Sequence, residues 1–271
     1  MNNDLKNLLM TYEKKGYVNL GQIISKKKAK QLSKRAIDLM LGKKVYEGMF
    51  FQMEGKGGSY KKINKNSEKF LGPSKDYRKI KDLEYDHLFL KVIQNKYLKF
   101  FSKILIGNNV SSMRAMILNK PAYNSSQLDF HQDISDNWNM SGKPNFTFWM
   151  SLNGSTKQKG CLRIIEESHT YGKIGQGHFI KKKELTKFKN KKIKYLEMKA
   201  GQAIIFNNHL LHGSQKNKTS RMRLAFTVCF MNSKIKHNKY NKFYPKIFGS
   251  GALTQKKIKN LKSIPKKPYL I

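Results

Sequence analysis

The sequence predicts a mainly β domain with α-helices flanking its sheets, and three observations carry that prediction. Between residues 113 and 231 the chain offers seven short apolar or alternating segments separated by turn residues. Helical spacing of apolar residues, with capping and stop signals, is confined to the first 107 residues and a short piece near residue 254. At 271 residues and 39% hydrophobic composition the chain can bury one sizeable core, and closed or sandwiched β folds of this length commonly form one domain. We read that domain, 1–271, as a mainly helical N-terminal part over 1–107, a β core over 108–232 and a basic C-terminal extension over 233–271.

Each element has its own justification. Leu5, Leu8, Leu9 and Tyr12 recur at helical spacing, and Gly16 closes that segment before the short apolar strand Tyr17-Val18-Asn19-Leu20. Ser25 is a good N-cap for a second helix whose stripe is Ala29, Leu32, Ala36, Leu39 and Met40, so that helix should lie against the β core. Residues 54–76, with Gly55, Gly57, Gly58, Gly72 and Pro73, show no sustained period and read as a loop with one strand pair, bordering the active site. From Asp86 to Leu105 the apolar residues Phe89, Val92, Ile93, Leu98, Phe101 and Leu105 predict two packed helices ending at Gly107. The seven strands are then Met113–Leu118, Gln127–Asp133, Phe146–Leu152, Leu162–Ile165, Ile193–Met198, Gln202–Phe206 and Arg223–Met231. Residues 180–192 read as an exposed basic insertion, and Thr254 as the cap of a short lysine-rich helix before Pro265 and Pro268.

The formal charge of +38 invites a polyanion: nucleic acid, an anionic membrane or a phosphorylated substrate. Residue choice argues against reading bases, because only six arginines are present while bidentate recognition of guanine or phosphate favours arginine. Lysine carries the rest, spread through helices, loops and tail alongside abundant asparagine and isoleucine, as compositional bias would leave it. The 17 acidic residues remain few, which keeps an acidic substrate or carrier in view. Cys161 and Cys229 sit in apolar runs and make no disulfide framework, so a reducing cytoplasm is expected. The N-terminus lacks a continuous apolar stretch and no segment approaches membrane-spanning length, which predicts a soluble, unprocessed protein.

The chemistry lies in His131-Gln132-Asp133 at a β segment. A strand's two-residue period sends His131 and Asp133 to one face and Gln132 to the other, so one ion can take an imidazole nitrogen and a carboxylate oxygen. A second imidazole from a distant strand would complete a two-His-one-carboxylate triad, which suits Fe(II) and leaves positions open. His209 and His212 both qualify by spacing, just as Arg221 and Arg223 share strand parity further on. On the last strand Arg223, Ala225, Thr227 and Cys229 form a smaller, more polar face, and Leu224, Phe226, Val228 and Phe230 a larger apolar one.

His212-Gly213-Ser214-Gln215-Lys216-Asn217, then Arg223 eleven residues past the histidine, with Phe148-Trp149-Met150-Ser151-Leu152 and Gly160-Cys161-Leu162-Arg163 upstream, together resemble the phytanoyl-CoA dioxygenase family of Fe(II)/2-oxoglutarate oxygenases. Tyr12–Gly21 and Asn119-Lys120-Pro121 extend the resemblance over about residues 10–232. Two motifs depart from the family pattern: Glu166-Glu167-Ser168-His169 stands where Pro-Gly-Ser-His is usual, and Gly201-Gln202 where Gly-Asp is common. Neither touches an expected ligand. The resemblance implies a double-stranded β-helix, or jelly roll, with the metal at its mouth. It implies His131, Asp133 and His212 as the ligands of Fe(II), with His209 a packing residue. It selects Arg223 for the far carboxylate of 2-oxoglutarate, adds Ser214 to the same carboxylate, and places Trp149 near the cosubstrate. It implies hydroxylation of an aliphatic C–H in a small-molecule or acyl-linked substrate, consuming 2-oxoglutarate and O2, and the chain's positive charge would suit an anionic one. Asp133 favours hydroxylation, since related halogenases carry a small residue there. No nucleic-acid partner is expected. Gln132 is expected to support a turn or neighbouring groups, Gly160 and Asn217 to shape turns, His169 to hold a loop, and His87, His178 and His237 to lie at the surface.

Overall fold

The computed structural model describes residues 3–63, 69–175 and 179–265. Helix α1 (Asn3–Lys15) ends at Gly16, whose φ of +78° turns the chain into β1 (Tyr17–Gln22). Ser25 caps α2 (Lys26–Met40) by accepting the Lys28 amide at 3.2 Å, and the five apolar stripe residues are all buried. Strands β2 (Phe51–Met53) and β3 (Tyr77–Ile80) pair with each other, so the glycine-rich stretch is their connection and does not itself contain the pair. Asp86 and Asn95 cap α3 (His87–Ile93) and α4 (Lys96–Leu105).

The β core follows as β4 (Val110–Lys120), β5 (Leu128–His131), β6 (Phe146–Ser151), β7 (Leu162–Ile165), β8 (Ile193–Leu196), β9 (Gln202–Asn207), β10 (His212–Ser214) and β11 (Arg223–Asn232). All seven expected strands are present, with ends shifted by a few residues. Strand β10 was not anticipated, because three residues are too few for a two-residue period to register. The larger sheet runs β1-β9-β6-β11-β4-β3-β2, with Lys246–Phe248 also paired to β4; the smaller runs β5-β10-β7-β8. Every pairing in both sheets is antiparallel. The N-terminal part is therefore woven into the larger sheet, supplying one edge through β1 and the other through β2 and β3.

The alternation along β11 sorts the two sides of that sheet. Leu224, Phe226, Val228 and Phe230 pack outward with Phe146, Phe148 and Met150 of β6 against Leu32, Leu39, Phe89 and Phe101 of the helices. Burying each such side chain contributes about 1.5–3 kcal/mol relative to leaving it in water. On the inner side Trp149, Ile204, Phe206 and Ala225 meet Leu162, Ile164 and Leu196 of the smaller sheet. Two antiparallel sheets packed face to face with helices on one outer side form a jelly roll. Residues 180–192 are more than a solvated insertion: Ile180 and Phe188 are buried with Phe130, Ile165 and Leu211, covering the outside of the smaller sheet while the lysines face water. Among the described residues, no helix is long and apolar enough to cross a membrane.

Candidate active site

His131 closes β5, His212 opens β10, and the two are direct partners across that antiparallel pair, with ring centroids 4.1 Å apart. Each Nδ1 lies 2.9 Å from the backbone oxygen two residues earlier, that of Asp129 or Leu210. A carbonyl only accepts, so both Nδ1 atoms carry the proton and both Nε2 lone pairs are left to face a metal. Asp133 lies beyond β5, which ends at His131, two residues short of the strand end expected from the sequence. Its amide bonds to the Asn208 oxygen at 2.9 Å, and this turn brings its carboxylate back toward the imidazoles. Asp133 Oδ2 is 3.8 Å from His212 Nε2, and ligand atoms of all three residues lie within 4.8 Å of one another. All three are buried. Burial lowers the His212 pKa against the opposing pull of Asp133, which favours the neutral imidazole that a metal requires.

The carboxylate is gripped from below. Arg114 Nη2 lies 2.5 Å from Asp133 Oδ1, and the Thr147 hydroxyl lies 2.9 Å from Oδ2. Arg114, Cys229 and Thr147 are lateral partners on β4, β11 and β6, so one cross-strand row supplies both contacts. Arg114 also lies over the Trp138 ring, 5.2 Å from its centroid. Sequence reasoning missed Arg114. Its signal was an arginine inside an apolar strand, at the same parity as Met116 and Leu118, which requires a buried anion.

Above this floor is a cavity of about 390 Å³ lined by the three ligand candidates, with Arg223, Ser214, Trp149 and Leu162 toward one end and Arg114, Trp138, Ser135 and Asn137 toward the other. Arg223 is buried, donates to the Leu118 oxygen at 3.2 Å, and sits 5.7 Å from the Trp149 ring centroid. Its Nε has no hydrogen-bond partner, and no carboxylate pairs with it among the described residues. Burial pulls its pKa down to about 10. The neighbouring Arg221 is exposed, so burial separates two residues that parity could not. Arg78 and Lys79 of β3 and Tyr60 and Ile63 of the connection that precedes it complete the wall, so the glycine-rich stretch does border the site.

The family model described as phytanoyl-CoA dioxygenase matches residues 12–225. The chain belongs to that family. It is 26% identical to human "Phytanoyl-CoA dioxygenase, peroxisomal" over 62% of this chain and 51% of that protein. It is 25% identical to the Caenorhabditis elegans "Probable phytanoyl-CoA dioxygenase" over 82% of this chain and 73% of that one. The chain thus spans about half the length of the human relative it matches. Among solved structures, EctD from S. alaskensis with 2-oxoglutarate and 5-hydroxyectoine is similar at TM-score 0.65 and 16% identity, covering 99% of this chain and 85% of that one. The α-ketoglutarate-dependent carbocyclase SnoK of nogalamycin biosynthesis is similar at TM-score 0.65 and 16% identity, covering 86% of this chain and 85% of that one. At these identities the structures establish the shared fold.

In this phytanoyl-CoA dioxygenase family member the remaining sequence candidates fall into place around the cavity. Gln132, buried on the side away from the ligands, donates to the oxygens of Gly172 and His209 and accepts from the Ile174 amide, pinning the loops that flank the site. His209 bonds Asn207 and stays outside the three-residue cluster. Asn217 donates to the oxygens of Lys120, Pro121 and Arg221 and shapes the turn before β11; Gly160 adopts φ +69° in another. His169 holds α1 through the Glu13 oxygen at 2.9 Å. His87 is exposed as expected. His237 is fully buried beside Tyr240, a correction that a lone polar position in a lysine-rich tail gave no means to foresee. His178 lies outside the described residues.

Proposed function

We propose that this chain is an Fe(II)- and 2-oxoglutarate-dependent dioxygenase that hydroxylates an aliphatic C–H of a small-molecule or acyl-linked substrate carrying negative charge. The observation that carries the reading is one cavity holding both a buried His-Asp-His cluster and, toward its other end, a buried guanidinium with no carboxylate partner among the described residues. The donor set fits the metal: two Nε2 atoms with fixed tautomers and one carboxylate are the ligands that suit Fe(II) with open positions. Arg223 fits the cosubstrate, because an unpaired buried cation calls for an anion to sit against it. Relatives and structural neighbours named as phytanoyl-CoA dioxygenases and α-ketoglutarate-dependent enzymes support the same assignment.

His131, Asp133 and His212 would hold the metal, and Arg223, Ser214 and Trp149 the far end of 2-oxoglutarate. When bound, this pair and O2 supply the oxidising power, with 2-oxoglutarate leaving as succinate and CO2 as the substrate gains a hydroxyl. The protein's own share is placement. Arg223 offers a bidentate fork to a carboxylate, and Ser214, buried on the next sheet, brings a hydroxyl with no other partner among the described residues. Trp149, Leu162 and Phe206 wall this end against water. Asp133 fills the place a halide would need, so hydroxylation is the expected outcome. The buried free thiols of Cys161 and Cys229 support a reducing compartment, and we place the protein in the cytoplasm, although relatives are named peroxisomal.

Purified protein given Fe(II) and 2-oxoglutarate should release succinate in air, slowly even without substrate, and Asp133→Ala should stop it. Arg223→Gln should raise the KM for 2-oxoglutarate about 30- to 100-fold, equivalent to a charge-assisted contact of about 2–3 kcal/mol. Absence of both succinate formation and 2-oxoglutarate binding would sink the reading. A basic polyanion-binding protein, or a metalloenzyme of the same barrel that ignores 2-oxoglutarate, would then be the alternatives.

A further inference from the structure

We infer that the end of the cavity opposite Arg223 is an anion subsite centred on Arg114, and that it seats the carboxylate of a compact substrate. This rests on the oxygenase reading above, and it names the substrate class for that site. Arg114 pairs across the strands with Cys229, six residues along β11 from Arg223, so the two guanidinium-bearing positions stand roughly 20 Å apart along the strand. The metal-ligand candidates lie in the same cavity as both. If 2-oxoglutarate reaches from the metal toward Arg223, the space beside Arg114 is where the second reactant lies.

Three observations make that space an anion site. Only Nη2 of Arg114 is engaged; Nε and Nη1 make no hydrogen bond among the described residues, and the side chain, 17% exposed, opens onto the cavity. The cavity wall carries three guanidinium groups, Arg78, Arg114 and Arg223, and the Lys79 amine, whose pKa is pulled well below its usual value by burial and the neighbouring cations, against the one carboxylate of Asp133 among the described lining residues. Of these, Arg78 is satisfied by Gln52 at 2.8 Å and Glu54 at 3.9 Å, while Lys79 has no hydrogen bond or ion pair among the described residues. A divalent metal and a dianionic cosubstrate offset each other, so filling both leaves the positive excess in place. Metal binding also draws on the charge of Asp133, which leaves Arg114 with more to satisfy. Trp138, beneath the guanidinium, supplies a flat apolar wall beside that charge. Size narrows the class further. At about 390 Å³, shared with a five-carbon diacid, the cavity is at the small end of ligand pockets and suits a compact acid.

The test uses the whole chain loaded with Zn(II), which accepts the same ligand set without redox chemistry, and saturated with 2-oxoglutarate. Ligand-observed NMR then compares small acids with their amides: benzoate with benzamide, phenylacetate with phenylacetamide, and hexanoate with hexanamide. The expected result is binding of at least one acid about tenfold tighter than its amide, with bound 2-oxoglutarate undisturbed. Arg114→Gln should erase that preference, and Arg114→Lys, which keeps the charge beside Asp133, should retain it. Equal binding of acids and amides, binding of neither, or acids that bind only by displacing 2-oxoglutarate would overturn the assignment. Calorimetric titration of 2-oxoglutarate on the same sample separates this failure from failure of the oxygenase reading, which would remove cosubstrate binding altogether. Should Arg114→Gln not fold, the acid–amide comparison and the displacement measurement on the unaltered chain still decide.

Discussion

Asp133 has a partner on each carboxylate oxygen, Arg114 on one and Thr147 on the other, while the same group is a metal-ligand candidate. This double duty predicts a difference among the three ligand candidates. His212→Ala should abolish metal binding but remove only an imidazole held by one carbonyl. Asp133→Ala should abolish it too and strand the Arg114 guanidinium without its buried anion, at about 3 kcal/mol in stability. Urea unfolding of the metal-free proteins checks this: equal midpoints for the two variants would show that Arg114 finds another partner. At this scale the sequence was partly legible. The two-residue spacing of His131 and Asp133 announced a pair, although the turn after β5, and not strand parity alone, brings the carboxylate round. His212 over His209 and Arg223 over Arg221 came from motif resemblance, because spacing left both choices open. Arg114 in an apolar strand called for a buried anion, but nothing in its own segment says that an aspartate nineteen positions later comes to rest against it.

Strand β10 is the element on which the site turns, although it is only three residues long. It lies between β5 and β7 and sets His212 opposite His131. Gly213 permits that closeness: a Cβ built there would sit 2.7 Å from the Leu128 oxygen and 3.0 Å from the Asp129 oxygen. Gly213→Ala should therefore wedge β10 away from β5 and pull the imidazoles apart. We expect Zn(II) or Fe(II) affinity to fall at least tenfold, with helix content by circular dichroism preserved because the helices pack on the other sheet. Unchanged metal affinity would show that the pair can shift without disturbing the ligands. Most other elements were readable because each carries its own local signal. The caps at Ser25 and Thr254, the stop at Gly16 and the alternation along β11 all act within a few residues. The failures sit where that signal is too short, as in β10, or where burial comes from a distant partner, as for Phe188.

At the scale of the whole molecule, a formal charge of +38 on 271 residues is a standing repulsion that added salt screens. Raising sodium chloride from about 0.05 to 0.5 M should therefore raise the melting temperature by a few degrees, corresponding to about 1 kcal/mol. A falling melting temperature would mean that surface ion pairs outweigh the repulsion. Some of the acidic residues at the surface already hold lysines, as in Lys191–Glu167 and Lys194–Glu166, and such exposed pairs contribute little. Inside, positive charge has a location: Arg78, Arg114 and Arg223 converge on the cavity.

The sequence alone determined the β core, its helical flank and the residue types of a metal site, because hydrophobic period, caps and motif spacing are written along the chain. The convergence of these residues was decided only by tertiary structure. His131 meets His212 across 81 positions, Arg114 meets Asp133, and Arg223 is left buried with no carboxylate against it among the described residues, through strand register that no local pattern specifies. Local signals act through neighbours in the chain, whereas charge balance in a closed cavity depends on which distant strands the fold sets side by side.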